Sequence, residues 1–365
     1  MTKNLIPVYQ PFLAGNEKKY VVECLDTTWI SSKGKFVCRF EEEFVKFIGV
    51  AHGTSVSNGT VALHLALYTL GIGPGDEVIV PSLTYIASAN AIAYVGATPV
   101  FVDSDDSSWN IDPALIVAKI SSKTKAILFV HLYGATCHID SIAIICKQHQ
   151  LFLIEDAAEA FGSKYRGQYA GGFGDISTFS FFGNKTITTG EGGMIVSNHK
   201  ALIERAAYLK SQAVSPNLEY WHDEIGFNFR MTNIAAAIGV AQLEQAPKIL
   251  HKKRELAAWY RGYLADTSLV FQLDSEYSLH SYWMVSILAK ERNERDKIRQ
   301  YLKSHGIETR PLFYPVHIMP MFKSGDTYAV AESLSGRGLS LPSYPGLTRE
   351  QVCYVSSMII ESLKM

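Results

Sequence analysis

The sequence predicts an α/β protein: a large, mixed but mostly parallel sheet, followed by a smaller C-terminal α+β domain. Three observations predict it. Between residues 53 and 198, short apolar runs alternate with helical stretches, the pattern of strands buried on both faces. Two of these runs, ISTFSFF at 176–182 and GGMIVSN at 192–198, are joined by a short polar loop, which suits an antiparallel edge or hairpin. Beyond about residue 232 the alternation gives way to long helical segments around an isolated strand.

Taken in order, residues 16–28 and 36–49 are amphipathic and predict two N-terminal helices. GTSVS at 53–57 reads as a strand, 60–70 as a helix, EVIVP at 77–81 as a strand and 84–95 as a helix. PVFVD at 99–103, KAILFV at 125–130 and LFLIED at 151–156 add three strands before the hairpin. The stretch from Thr232 to Leu264 has the composition of one long helix, which Pro247 should kink or break. Residues 282–289 predict a strand, 293–305 a helix and 348–363 a terminal helix. The division expected is 1–245 for an N-terminal arm and the large domain, and 246–365 for the small one. No internal repeat or low-complexity segment interrupts it.

Composition narrows the function. Hydrophobic residues make up 47% and charged residues 19% of 365, a globular balance that argues against disorder. Lys+Arg number 34 and Asp+Glu 35, and no basic tract points to nucleic acid. Five cysteines, at 24, 38, 137, 146 and 353, form no CxxC pair; reduced, buried thiols and a cytoplasmic location are expected. The start, MTKNLIPVYQP, has no apolar signal core, and no run approaches the ~18 apolar residues of a membrane span. The eleven histidines include no HxH or HExxH, so no metal is expected. GxGxxG and GxxxxGK[ST] are absent as well, which removes dinucleotide and ATP readings.

The chemistry gathers in DISTFSFFGNKTITTGEGGMIVSN, residues 175–198. Lys185 lies between two apolar strands, flanked by Gly183, Asn184, Gly190, Gly192 and Gly193. It is either a solvated loop lysine or a lysine that reaches a buried cofactor and loses its proton by desolvation. In IEDAAEAFG, Asp156 closes a buried strand, where α/β sheets bind ligands. It is a helix cap, or the carboxylate that pyridoxal 5'-phosphate (PLP) needs opposite its ring nitrogen. Glu159, three residues on, suits a capping box or the cofactor's ring hydroxyl. In VSNGTVALHLAL, a strand ends at Asn58, Gly59 allows close backbone approach and a helix begins at Thr60. Such a helix N-terminus binds phosphate, although the same residues cap ordinary helices. Tyr85 either stacks on a planar ring or packs in the core. Asn228 and Arg230 precede a long helix, where capping and ligand roles compete; His317 lies in a Pro-rich loop as a structural or a site histidine.

These segments, in this order, resemble the DegT/DnrJ/StrS group of sugar-nucleotide aminotransferases. The likeness runs through IPVYQP, WISSKG, SNGTVALHLAL, PSLTYIASANAI, FVHLYGA, EDAAEAFGSKY, FSFFGNKTITTGEGGM, GFNFRMTNIAAAIGVAQLE, TRPLFYPVH and LSLPSYP. The resemblance implies the type I, aspartate-aminotransferase-like fold and PLP as cofactor. It implies that Lys185 holds PLP covalently and moves the proton, and that Asp156 pairs with the ring nitrogen. Glu159 would take the ring-hydroxyl side, where many relatives carry glutamine. Asn58, Gly59, Thr60 and Ser180 would bind the phosphate, and Tyr85 would stack over the ring. Asn228 would reach the neighbouring subunit's cofactor, implying a homodimer or dimer of dimers with shared sites. Arg230, Tyr314 and His317 would contact substrate. GDP-4-keto-6-deoxymannose is the implied acceptor and L-glutamate the donor, with UDP- and dTDP-linked keto sugars as alternatives. Relatives that dehydrate the sugar carry histidine in place of the lysine, so Lys185 favours transamination over a PLP-dependent dehydratase. Relatives with an iron–sulfur cluster need a cysteine set that Cys137 and Cys146 do not supply.

Overall fold

The computed structural model describes residues 5–273, 277–323 and 325–365. Residues 1–4, the polar start expected to lack a signal core, lie outside them. Seven strands form the main sheet in the order His52–Val56, Gly193–Ser197, Ile176–Ser180, Phe152–Asp156, Thr124–Val130, Glu77–Pro81, Thr98–Val102. Gly193–Ser197 runs antiparallel to both its neighbours, and every other pairing is parallel. The expected hairpin is therefore present, with Ser177 opposite Val196 and Ser180 opposite Gly193. The sheet interior is built from the apolar runs: all of Ala126–Val130 and Val78–Pro81 is buried. Six strands point the same way, so their carboxyl ends share one edge. In register there, Val130 pairs with Asp156 and Asp156 with Thr178.

The helix Lys35–Ile48 illustrates the packing. Phe36, Phe40, Phe44 and Ile48 recur every four residues and are all buried, because that spacing puts them on one face. Phe44 meets Phe179 edge-to-face at 4.9 Å and Phe40 meets Phe181 at 5.2 Å. Each such ring contributes ~2–3 kcal/mol by leaving water. The helix stops at Gly49, whose φ of 85° lies in the left-handed region that ends helices.

The long helical stretch breaks at Gln245 into Asn233–Glu244 and Ala246–Tyr263, with Pro247 in the first turn of the second helix, where its missing N–H costs nothing. Beyond it lies a four-stranded antiparallel sheet in the order Val270–Phe271, Val285–Leu288, Gly338–Leu341, Arg310–Pro311. Its core joins Val285, Ile287, Leu339 and Leu341 to Leu256, Ile298, Val355 and Ile359 of three helices. The arm before residue 12 crosses to this unit: Ile6 N–H donates to the Gly306 carbonyl at 2.9 Å and Ser343 N–H to the Val8 carbonyl at 2.9 Å.

Three features differ from the sequence reading. The strand expected at 282–289 covers only Val285–Leu288, because Tyr282 takes a left-handed φ of 52° and turns the chain. Gly338–Leu341 and Arg310–Pro311 are too short to carry a periodic signal. Of the five free cysteines, Cys24, Cys137 and Cys146 are buried as expected, whereas Cys353 is only half-buried and Cys38 is exposed on its helix. Among the described residues no helix is long and apolar enough to cross a membrane.

Candidate active site

Loops leaving the carboxyl edge of the main sheet enclose a cavity of about 600 Å³. Lys185 enters it from the loop between Ile176–Ser180 and Gly193–Ser197. The loop is closed by backbone bonds from Phe181 N–H to the Gly192 carbonyl and from Thr189 N–H to the Phe181 carbonyl. Two aromatic side chains grip its backbone: Tyr9 donates its hydroxyl to the Lys185 carbonyl, and Trp283 Nε1 donates to the Asn184 carbonyl at 2.7 Å. Lys185 Nζ stands 4.0 Å from the centre of the Trp283 ring and 3.8 Å from Glu159 Oε1. Its side chain is 12% exposed. Burial pulls this ammonium down, and the Glu159 and Asp156 carboxylates pull the other way.

Asp156 is 4% exposed. Oδ2 accepts from the Ser88 hydroxyl at 2.9 Å, and Oδ1 from the Ala158 N–H at 3.1 Å. Burial pushes this carboxyl up; the two donors and the Lys185 charge oppose it. Glu159 accepts from the Tyr133 N–H at 2.7 Å and is pushed up to about 7 by burial, against the pull of Lys185. Tyr133 has φ 56°, a strained value for a residue with a side chain. That twist aims its N–H at Glu159 while its hydroxyl oxygen accepts from the Phe313 N–H at 2.9 Å.

At the far end of the cavity, the strand His52–Val56 turns into the helix Gly59–Thr69. Asn58 caps the helix by accepting from Val61 N–H at 3.0 Å. A Cβ on Gly59 would lie 2.6 Å from Ser180 Cβ, so only glycine lets this turn approach the Ser180 hydroxyl. The N–H groups of Gly59 and Thr60 have no intrahelical partners, and both residues line the cavity together with Ser180.

The cavity thus brings together Asn58, Gly59, Thr60, Tyr85, Asp156, Glu159, Ser180 and Lys185. Tyr85 lies at its mouth, 54% exposed and 5.5 Å from Phe313, not in the core. The other four residues singled out by sequence do not line it. Asn228 and Arg230 lie on a segment beside the end of the strand His52–Val56, Arg230 bridging to Val56 and Asn228 to Ser211. Tyr314 is exposed beside Phe313. His317 is buried behind the wall, with Nδ1 2.6 Å from Ser82 Oγ and Nε2 3.2 Å from Glu332 Oε1. Sequence reasoning missed Ser88, Tyr133, Trp283 and Phe313. Ser88 had a findable signal, because it follows Tyr85 by one helical turn; the others arrive from distant segments.

The residues present fit PLP. A lysine amine, a buried carboxylate and a glycine-lined helix start share one cavity, matching the cofactor's aldehyde, ring nitrogen and phosphate. Asn184 Oδ1, another group lining the cavity, is buried with no hydrogen-bond partner among the described residues, as expected where a ligand supplies the donor.

The comparisons with known proteins agree. The chain is 56% identical to "GDP-perosamine synthase" of Escherichia coli O157:H7, covering 98% of both chains. It is 49% identical to the protein of the same name from Vibrio cholerae, over 97% of this chain and 98% of that one. Among solved structures, the PLP form of the sugar aminotransferase Spr1654 from Streptococcus pneumoniae superposes with a TM-score of 0.94 at 27% identity, covering 99% of each chain. The model of the DegT/DnrJ/EryC1/StrS aminotransferase family matches residues 11–360, and the chain belongs to that family of PLP-dependent enzymes.

Proposed function

We propose that this enzyme transfers an amino group from L-glutamate to C4 of GDP-4-keto-6-deoxymannose, giving GDP-perosamine and 2-oxoglutarate for surface-polysaccharide (O-antigen) synthesis. The observation that carries the reading is the single cavity joining Lys185, Asp156 and the Gly59 turn, together with likeness at 56% and 49% identity to proteins named for that product.

PLP bound there supplies an electrophilic carbonyl and an electron-accepting ring. Lys185 Nζ would hold the cofactor covalently and, freed by the amino donor, would move the proton at the donor's Cα. Its depressed basicity suits both tasks, because an unprotonated amine is needed first as nucleophile and then as base. Asp156 would keep a proton on the ring nitrogen, and the Ser88 hydroxyl and Ala158 N–H hold its carboxylate in place. Glu159 orients the ring-hydroxyl side. Asn58, Gly59, Thr60 and Ser180, which line the cavity, would receive the phosphate, and Tyr85 would cover the ring from the cavity mouth. Arg230 and Tyr314 are assigned to the substrate approach, outside the cavity. His317 acts through its neighbours, pinning the 313–318 segment to Ser82. The exposed Asn228 is assigned to the partner's cofactor in a two-fold dimer.

The test is kcat/KM for the GDP-, UDP- and dTDP-linked 4-keto-6-deoxy sugars with glutamate, with products identified by mass spectrometry. Preference for the GDP sugar with a 4-amino product is expected. Comparable or better turnover of a UDP or dTDP sugar would defeat the GDP assignment, leaving the aminotransferase intact.

A further inference from the structure

Lys253, on the helix Ala246–Tyr263, is 0% exposed. Lysines are almost never fully buried unless paired. Among the described residues, this ammonium meets carbonyls and a ring instead of a carboxylate. Nζ donates to the Trp283 carbonyl at 3.0 Å and to the Ser343 carbonyl, and it lies 5.2 Å from the centre of the Tyr9 ring. Burial pulls it down to about 7. Two other titratable groups lie near: Tyr9, whose hydroxyl burial pushes up, and His280, which burial lowers and Arg261, Arg254 and Lys253 lower further. A leucine or methionine would fill such a space at no desolvation cost, so the charge calls for an explanation beyond packing.

The partners of Lys253 supply one. Trp283 donates its indole N–H to the Asn184 carbonyl and lays its ring 4.0 Å from Lys185 Nζ. Tyr9 donates its hydroxyl to the Lys185 carbonyl. The two therefore hold consecutive carbonyls of the loop that carries Lys185. Ser343 closes the circuit: its N–H donates to the Val8 carbonyl at 2.9 Å, and its hydroxyl accepts from Val285 N–H at 2.8 Å. We propose that Lys253 is a positioning residue for Lys185: it ties the backbones that carry Trp283 and Tyr9 together, and those side chains hold the Lys185 amine in one place over the indole face. This inference rests on the reading of Lys185 as the cofactor lysine.

Lys253→Met removes the donors while keeping length and apolar bulk. In the full-length chain stripped of PLP, with folding checked by circular dichroism, acetic anhydride labelling of Lys185 is followed against pH by peptide mass spectrometry. With the indole no longer fixed, water reaches the amine, and the labelling midpoint should rise by about one pH unit, a tenfold change in the free-amine fraction. Exposed Lys297 should label as before. In the PLP-loaded protein kcat should fall about tenfold, with KM within about twofold. A residue that only fills space would move melting temperature and leave the midpoint alone. An unchanged midpoint and kcat would overturn the inference. Should Lys253→Met not fold, Tyr9→Phe, which removes only one hydroxyl, should move the midpoint the same way, and no movement there would overturn it equally. Borohydride reduction of the wild-type holoenzyme separates the two failures. Cofactor trapped on another lysine ends the reading of Lys185; cofactor on Lys185 with an unmoved midpoint ends only the role of Lys253.

Discussion

Asp156 accepts from the Ser88 hydroxyl and the Ala158 N–H, one on each oxygen, an arrangement that favours the charged carboxylate. In the proposed role, Asp156→Asn keeps the shape and loses the charge that holds a proton on the ring nitrogen. We expect kcat to fall by several orders of magnitude while the fold, read by melting temperature, is retained. A fall of less than about tenfold, equivalent to ~1.4 kcal/mol, would make Asp156 a cap and nothing more. Lys185, Asp156 and Glu159 were legible in the sequence because each stands beside an apolar strand with glycines or alanines around it. Trp283 and Tyr133 were not. Their functions depend on the backbone twists at Tyr282 and Tyr133, φ 52° and 56°, which nothing in the local composition announces.

At the scale of elements, strands were the most legible, since buried strands are written as apolar runs. Ile176–Ser180 and Gly193–Ser197 pair antiparallel, and the loop 181–192 between them is where Lys185 sits. The break at Gln245 followed from Pro247. What the sequence did not disclose was which distant segments would meet. The 313–318 segment is held at the site by His317 on Ser82, by the Val316 N–H on the Ser82 carbonyl at 2.8 Å, just past Glu77–Pro81, and by the Phe313 N–H on the Tyr133 hydroxyl. The Pro-rich setting of His317 left a structural and a site role open, and the resemblance implied a substrate contact; in the structure its nitrogens lie 2.6 Å from Ser82 Oγ and 3.2 Å from Glu332 Oε1. Likewise Tyr9, in an arm without regular structure, gains its role only by crossing to the Lys185 loop.

At the scale of the whole molecule, Asn228 and Arg230 flank the phosphate-side turn without entering the cavity of their own chain. If Asn228 serves the partner's cofactor, Lys185→Ala and Asn228→Ala chains, each inactive alone, should regain activity on mixing, because a hybrid dimer contains one intact site. No recovery under demonstrated subunit exchange would count against a shared site. The account as a whole stands on one covalent bond. Reducing the PLP-loaded enzyme with borohydride, then weighing the intact chain and mapping its peptides, tests it most directly. One reduced cofactor per chain, carried on Lys185 and absent from Lys185→Ala, is the predicted result; a cofactor trapped on any other lysine would contradict it.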